Sequence, residues 1–374
     1  MLSTILVPLD GSPFAERALP YATTLARTAH ARLLLLRAVL AHPLPGTDPA
    51  LAQLTAVQHA EAALAAVAER LRRDGLAVDT AVYYDEAATA IADAAHYRHA
   101  DLIVMSTHGR TGLGRWLYGS VADRVLRRAE VPVLLIPATC ERVWAGAGAL
   151  RVLVPLDGSA FAEEALAPAE ALATGREMVL LLVQVVEPPA PIVADGASYI
   201  PPFDEETAVA LATQYLKRLA DSLLARVRTV EIHTAVGEPA ACIAQAARAH
   251  QADVIAMATH GRSGLARLVL GSVATGVLAR ASTPLLLVRP VAVREAARVT
   301  PPAAAAGPAV TVTLRPDELA LVEEGLEELL RSAEREAGAR IRGAPGAAAV
   351  SDLLARLRQA ERGLPREAEP GPQR

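Results

Sequence analysis

The run Ser106-Thr107-His108-Gly109-Arg110-Thr111-Gly112 continues to Gly119-Ser120, and it returns as Ala258-Thr259-His260-Gly261-Arg262-Ser263-Gly264 followed by Gly271-Ser272. Glycines let a backbone come close to a ligand, and the unpaired amides at the start of a helix favour an anion. These residue types describe a phosphate cradle, present twice, and nucleotide binding is the leading reading. His108 and His260 sit inside the runs, yet no acid or nucleophile recurs at fixed spacing beside them. An imidazole that orients the loop through a hydrogen bond suits them better than catalysis does. Arg110 and Arg262 suit either a phosphate contact or a solvated surface. A P-loop would need Gly-x4-Gly-Lys-Ser/Thr, and the only lysine, Lys217, lies away from both runs. Phosphoryl transfer of the P-loop kind is thereby excluded.

Each run must be held by the elements on either side. An apolar segment precedes it (Asp101–Met105, Asp253–Met257) and a helical pattern follows (Gly119–Leu126, Gly271–Leu278), so strand, glycine loop and helix start are expected at both places. Upstream, Thr4–Leu9 reads as a buried strand that ends at Asp10-Gly11-Ser12-Pro13, with Ser12 as N-cap and Pro13 as first helical residue. The spacing predicts further strands over Arg32–Val39, Ala77–Tyr84, Asp101–Ser106 and Pro132–Ile136. It predicts helices from Phe14 to Leu25 and over Ala50–Asp74, Glu86–His99 and Ser120–Arg128. Strands that alternate with helices and carry no alternating polarity belong to a parallel sheet covered on both faces. The fold class is α/β, doubly wound and Rossmann-like.

The programme then restarts, for Val154–Ser159 repeats Val7–Ser12 at a displacement of 147 positions, which holds through Val179–Val186. By the second glycine run the displacement is 152, leaving five extra residues in the Pro-rich stretch Glu187–Asp204. A lid over a site and a tolerated surface insertion are equally good readings of them. The expected domains are 1–138 and 149–290, then a linker over 291–315, a helical hairpin over 316–362 and a disordered tail over 363–374. The hairpin carries Leu319, Val322, Leu326, Leu329, Leu330 and Ala333 on one face and is expected to dock on the main body or on a partner subunit.

Bulk properties narrow the function classes. In 374 residues, 52% hydrophobic and 21% charged content supports full globular cores without staples. A net charge of −4 and 3% aromatic content count against nucleic acid and anionic membranes as partners. Cys140 and Cys242 show neither a pairing framework nor ligand spacing. With no leader pattern and no bilayer-spanning run, a reduced, cytoplasmic location is expected.

Val-Pro-Leu-Asp-Gly-Ser after the first strand, Thr-His-Gly-Arg after the fourth, and nine residues between Gly109 and Gly119-Ser120 together resemble the universal stress protein family. The chain looks like a tandem member over Leu2–Pro137 and Leu150–Pro290. The resemblance implies two five-stranded parallel sheets of order 3-2-1-4-5, with a crevice at the switch between strands one and four. It also implies ATP as ligand, since the ATP-binding branch carries Gly-x-x-Gly-x9-Gly-Ser/Thr. Matched position by position, Gly109, Gly119, Ser120, Gly261, Gly271 and Ser272 fall on the phosphate-contacting part. Asp10 and Asp157 fall on the acid near the ribose or the phosphates and metal, and the backbone around Val39 and Val186 falls where the adenine edge is read. Ser106 and Ala258 stand in place of the first glycine. Copy one reads Asp85-Glu86-Ala87 where copy two has the commoner family form, Gly237-Glu238-Pro239, which makes copy two the closer match.

Plainer roles exist for several of these residues. Ser120 and Asp123 have capping-box spacing, and Asp10 and Asp157 suit a turn in which the carboxylate accepts loop amides. Three functions remain in play: a nucleotide-binding stress sensor or regulator without committed catalysis, a slow ATPase with Mg2+ held by Asp10 or Asp157, and a dimerising interaction module without nucleotide. Strand five is an edge in the implied order, so Val131–Ile136 and Thr283–Val288 should cover each other in an intrachain pseudo-dimer. A homodimer through the C-terminal helices is the further expected partner.

Overall fold

Ile5, Leu6 and Val7 have no exposed surface, as a strand covered on both faces requires. They belong to β1 (Thr4–Pro8), the centre of the first half of the computed structural model, which describes residues 2–40, 49–107, 119–144, 148–189, 192–194, 197–199, 202–259 and 270–291. His108, Gly109, His260, Gly261, most of the linker, the C-terminal hairpin and the tail lie outside the described residues. After β1 come α1 (Pro13–Glu16), α2 (Leu19–Ala29), β2 (Arg32–Ala38), α3 (Pro49–Arg73), β3 (Val78–Tyr83), α4 (Ala87–Tyr97), β4 (Leu102–Ser106), α5 (Ser120–Arg128) and β5 (Val133–Ile136). The second half runs β6 (Leu150–Leu156), α6 (Ala160–Glu163), α7 (Leu166–Leu172), β7 (Met178–Val186), β8 (Ile192–Ala194), β9 (Ala197–Tyr199), α8 (Glu205–Leu223), β10 (Thr229–Val236), α9 (Pro239–Ala249), β11 (Val254–Ala258), α10 (Ser272–Arg280) and β12 (Leu285–Val288). The extra residues of the second half fall around β8 and β9, which pair as an antiparallel hairpin.

The expected first helix is broken into α1 and α2. Pro20 sits in the first turn of α2, where its missing amide costs nothing, and the second half breaks at the matched place between α6 and α7.

Each half has the strand order expected of it, β3-β2-β1-β4-β5 and β10-β7-β6-β11-β12. The two five-stranded sheets join at the edges expected to cover each other, making one sheet of ten strands in which β5 and β12 pair antiparallel with Leu135 opposite Leu285 and Leu134 opposite Leu286. All four leucines have no exposed surface. Two apolar edges that would otherwise template further pairing have consumed each other.

The segment between the halves is a strap. The Arg17 guanidinium donates to the carbonyls of Ala138 and Cys140, and the Tyr21 hydroxyl donates to the Arg142 carbonyl at 2.5 Å. Trp144 meets Tyr21 edge-on at 5.2 Å and donates its indole N–H to the Asp253 carbonyl at 2.9 Å, while Arg142 pairs with the Asp253 carboxylate at 3.0 Å. Residues of the first half, the strap and the second half thus share one polar and aromatic contact.

One titration should be visible in stability. His233 on β10 lies 5.0 Å from the His250 ring, and burial followed by the His250 charge lowers its pKa from 6.5. The folded protein therefore binds this proton less readily than the unfolded chain. The stabilising contribution is present above 6.5 and is lost as pH falls through the lower folded value. Thermal unfolding followed by circular dichroism should show a midpoint that drops between about pH 7 and pH 5, with a shallower drop in His233→Gln.

Candidate functional site

The turns that close strand one are built identically in the two halves. Gly11 and Gly158 both have φ of +81°, a conformation that glycine adopts without strain. Asp10 Oδ1 accepts the Ser12 amide at 2.8 Å; Asp157 Oδ1 accepts the Ser159 amide at 2.9 Å and the Ser159 hydroxyl at 2.5 Å. Ser12 and Ser159 then cap α1 and α6 by accepting the amides of Ala15 and Ala162 at 3.2 Å. Part of each carboxylate is therefore engaged in its own turn.

Strand four ends beside strand one. Ser106 closes β4 opposite Ile136, and Ala258 closes β11 opposite Val288. Thr107 and Thr259, both buried, carry the ladder one residue further by donating their amides to the Ile136 and Val288 carbonyls at 3.0 and 2.8 Å. The chain returns to these threonines as Gly119 and Gly271. Gly119 has φ of +84°, and a Cβ there would lie 2.6 Å from the Thr107 carbonyl oxygen, so only glycine fits. Gly271 instead donates its amide to the Thr259 carbonyl at 2.8 Å.

Ser120 and Ser272 follow as the exposed first residues of α5 and α10. The capping box expected at Ser120 is absent. Gly119 occupies the N-cap position and Ser120 stands one place inside it, where its side chain makes no cap bond. Asp123 turns instead to Arg127, which donates to it at 2.9 and 3.1 Å. Around the expected adenine position the sheet ladder already uses the Val39 amide, which donates to Tyr83, and the Val186 carbonyl, which accepts from Gly237.

Sequence reasoning missed one feature. A cleft of about 620 Å3 opens beside Asp10, bounded by the β1–α1 turn, the end of β2 and α3, with Pro13, Arg37, Ala63, Leu64 and Val67 in its lining. The Arg37 guanidinium lies over Gly11, so that a Cβ on that glycine would come within 2.9 Å of Nη1. The available signal was a lone cation directly after four buried leucines, Leu33–Leu36. No cluster of three His, Cys, Asp or Glu side chains able to hold a metal occurs among the described residues. Among the described residues, Asp10 or Asp157 would supply a magnesium ion with a single carboxylate, which suits an ion carried by phosphates.

Two half-sheets of order 3-2-1-4-5, each with a serine-bearing helix start at its switch point, define a tandem doubly wound α/β protein with two switch points. Residues 1–137 and 149–289 each match the universal stress protein family, a stress-response family, and the chain belongs to it. A universal stress protein of Mycolicibacterium smegmatis is 30% identical over 226 residues, 58% of this chain and 70% of that one. One from Mycobacterium tuberculosis is 30% identical over 193 residues, 51% of this chain and 62% of that one. The matched stretch thus spans only part of these curated relatives. Among solved structures, a universal stress protein from Archaeoglobus fulgidus superposes with a TM-score of 0.56 at 21% identity, covering 77% of this chain and 96% of that one. A Pseudomonas aeruginosa protein of unknown function gives 0.57 at 18% identity, covering 80% and 96%. At these identities the structures establish the fold. No described helix is long and apolar enough to cross a membrane.

Proposed function

We propose that the protein binds an adenine nucleotide, ATP with its magnesium, at the carboxyl ends of strands one and four, and acts in the cytoplasm as a stress-response sensor or regulator without committed catalysis. The supporting observation is the pair of glycine–serine helix starts, anchored at Thr107 and Thr259, whose serines are exposed at the N-termini of nine-residue helices. Helix N-termini of this kind present amides and a positive dipole end to an anion. Asp10 and Asp157 stand across the switch from them, beyond the neighbouring strands β1 and β6.

The test is direct. Protein purified from cells is denatured and the released nucleotide is identified by chromatography, and nucleotide-free protein is titrated calorimetrically with ATP and magnesium. The double variant Ser120→Asp, Ser272→Asp should gain about 0.3–1 kcal/mol of stability per helix from the dipole. It should nevertheless lose ATP affinity by roughly tenfold or more, because like charges then face each other. A wild-type chain that neither releases nor binds nucleotide would replace this reading with that of an interaction module.

A further inference from the structure

The two switch points are not copies of each other. The displacement of 147 pairs Asp10 with Asp157, Glu16 with Glu163 and Arg37 with Gln184. Beyond the insertion, the displacement of 152 pairs Ala63 with Tyr215, Leu64 with Leu216, Val67 with Leu219 and Arg70 with Ser222. Burial supports that register, since Leu64 and Leu216 are both core residues, exposed by 2% and 0%. In the first half, Ala63 leaves the cleft open. In the second, a tyrosine stands at that position, packed against the core, and its hydroxyl donates to Glu163 at 2.8 Å. Burial, then Glu163 and Asp157, all raise its pKa, so Tyr215 remains a neutral donor throughout the physiological range.

Charge has diverged in the same direction. At the matched positions the first half sets Arg37 and Arg70 against Asp10 and Glu16, with Arg70 donating to Glu16 at 3.0 Å. The second half keeps both acids, Asp157 and Glu163, and has Gln184 and Ser222 in place of the two arginines. The Gln184 side-chain carbonyl is buried without a hydrogen bond. An anion entering beside Asp10 meets the Arg37 guanidinium as well as the carboxylates of Asp10 and Glu16; one entering beside Asp157 meets the two matched carboxylates with a neutral amide in place of the guanidinium and a tyrosine in place of the open space.

We propose that the two sites have divided, that the first half is the one that takes an anionic nucleotide, and that Arg37 is its specificity-determining residue, while Tyr215 closes the equivalent place in the second half. This rests on the nucleotide reading above, and it reverses the preference for copy two that the Gly237-Glu238-Pro239 match suggests.

The whole chain should be titrated by calorimetry with ATP and magnesium and, separately, with adenosine, which offers the same base and sugar without charge. One strong ATP site per chain is expected. Arg37→Gln should weaken ATP about ten- to hundredfold, the worth of a hydrogen bond to a charged group, and leave adenosine unchanged. Ala63→Tyr, which copies the second half's closure, should remove the strong site, whereas Tyr215→Ala with Gln184→Arg should add a second one. Thermal unfolding checks that each variant folds, and Arg37→Gln, at a half-exposed position, stands as the decisive variant if Ala63→Tyr does not. Two equal sites in the wild type, or ATP binding indifferent to both first-half changes, would overturn the division and leave nucleotide binding intact. No ATP bound by any form would overturn nucleotide binding itself.

Discussion

A chain carrying Leu134→Asp is expected to lose its cooperative fold at neutral pH. Leu134 has no exposed surface and lies opposite Leu286 at the antiparallel seam, and both leucines belong to the same core face as Val104, Ile136, Val152 and Val154. Removing a core leucine costs about 2–5 kcal/mol, and leaving a carboxylate buried without a partner adds several more. Against a total stability of about 5–15 kcal/mol, that sum is comparable to the whole. The seam is the main-chain connection between the two half-sheets, so the loss should fall on both together. Urea unfolding at pH 7 followed by circular dichroism measures it, and a midpoint equal to wild type would show that β5 and β12 do not pair in solution.

Gly175→Val is expected to cost roughly 2–5 kcal/mol, from about 1–2 for a left-handed backbone and about 1–3 for overpacking. Gly175 follows α7 with φ of +78°, and a Cβ on it would lie 2.0 Å from the Thr28 carbonyl oxygen and 2.9 Å from the carbonyl carbon. A backbone carbonyl in α2 cannot swing aside as a side-chain tip can. Thr28 and Gly175 are themselves equivalents at the 147 displacement, so each half meets its counterpart at this contact. Gly75 supplies the control. Its φ is +82° but nothing lies within 4 Å of the place a Cβ would take, so Gly75→Val should show the backbone cost alone. Equal thermal shifts for the two variants would refute the close approach between the halves.

Much of this fold was legible because strands buried on both faces leave a plain trace. Leu33–Leu36 and Val152–Val154 are unbroken apolar runs, and the duplication let each half check the other. The seam followed from the same logic, since two apolar edges on one chain have an obvious partner in each other. The strap was not legible. Cys140 and Trp144 are 3% and 4% exposed, yet an irregular segment that is buried leaves no period to detect. The helix break between α1 and α2 and the missing capping box turned on single positions, where a one-residue offset decides which amide is free. Ser106, Ala258, Asp10 and Asp157 could be placed at strand ends by pattern alone. Arg37 and Tyr215 could not be connected to them, because one sits on a strand and the other on a helix that only folding brings to the same turn.

The antiparallel seam between β5 and β12 also bears on how the sites could part company. If the same contact were made between two identical chains, every substitution would appear on both sides at once, and neither switch point could change without the other. Its formation would also depend on protein concentration. Joined by the strap, the halves meet at a fixed effective concentration, and symmetry no longer binds their sequences together. A tyrosine can then enter one half as an alanine persists in the other, and division of labour between the sites becomes available to selection without any change of fold.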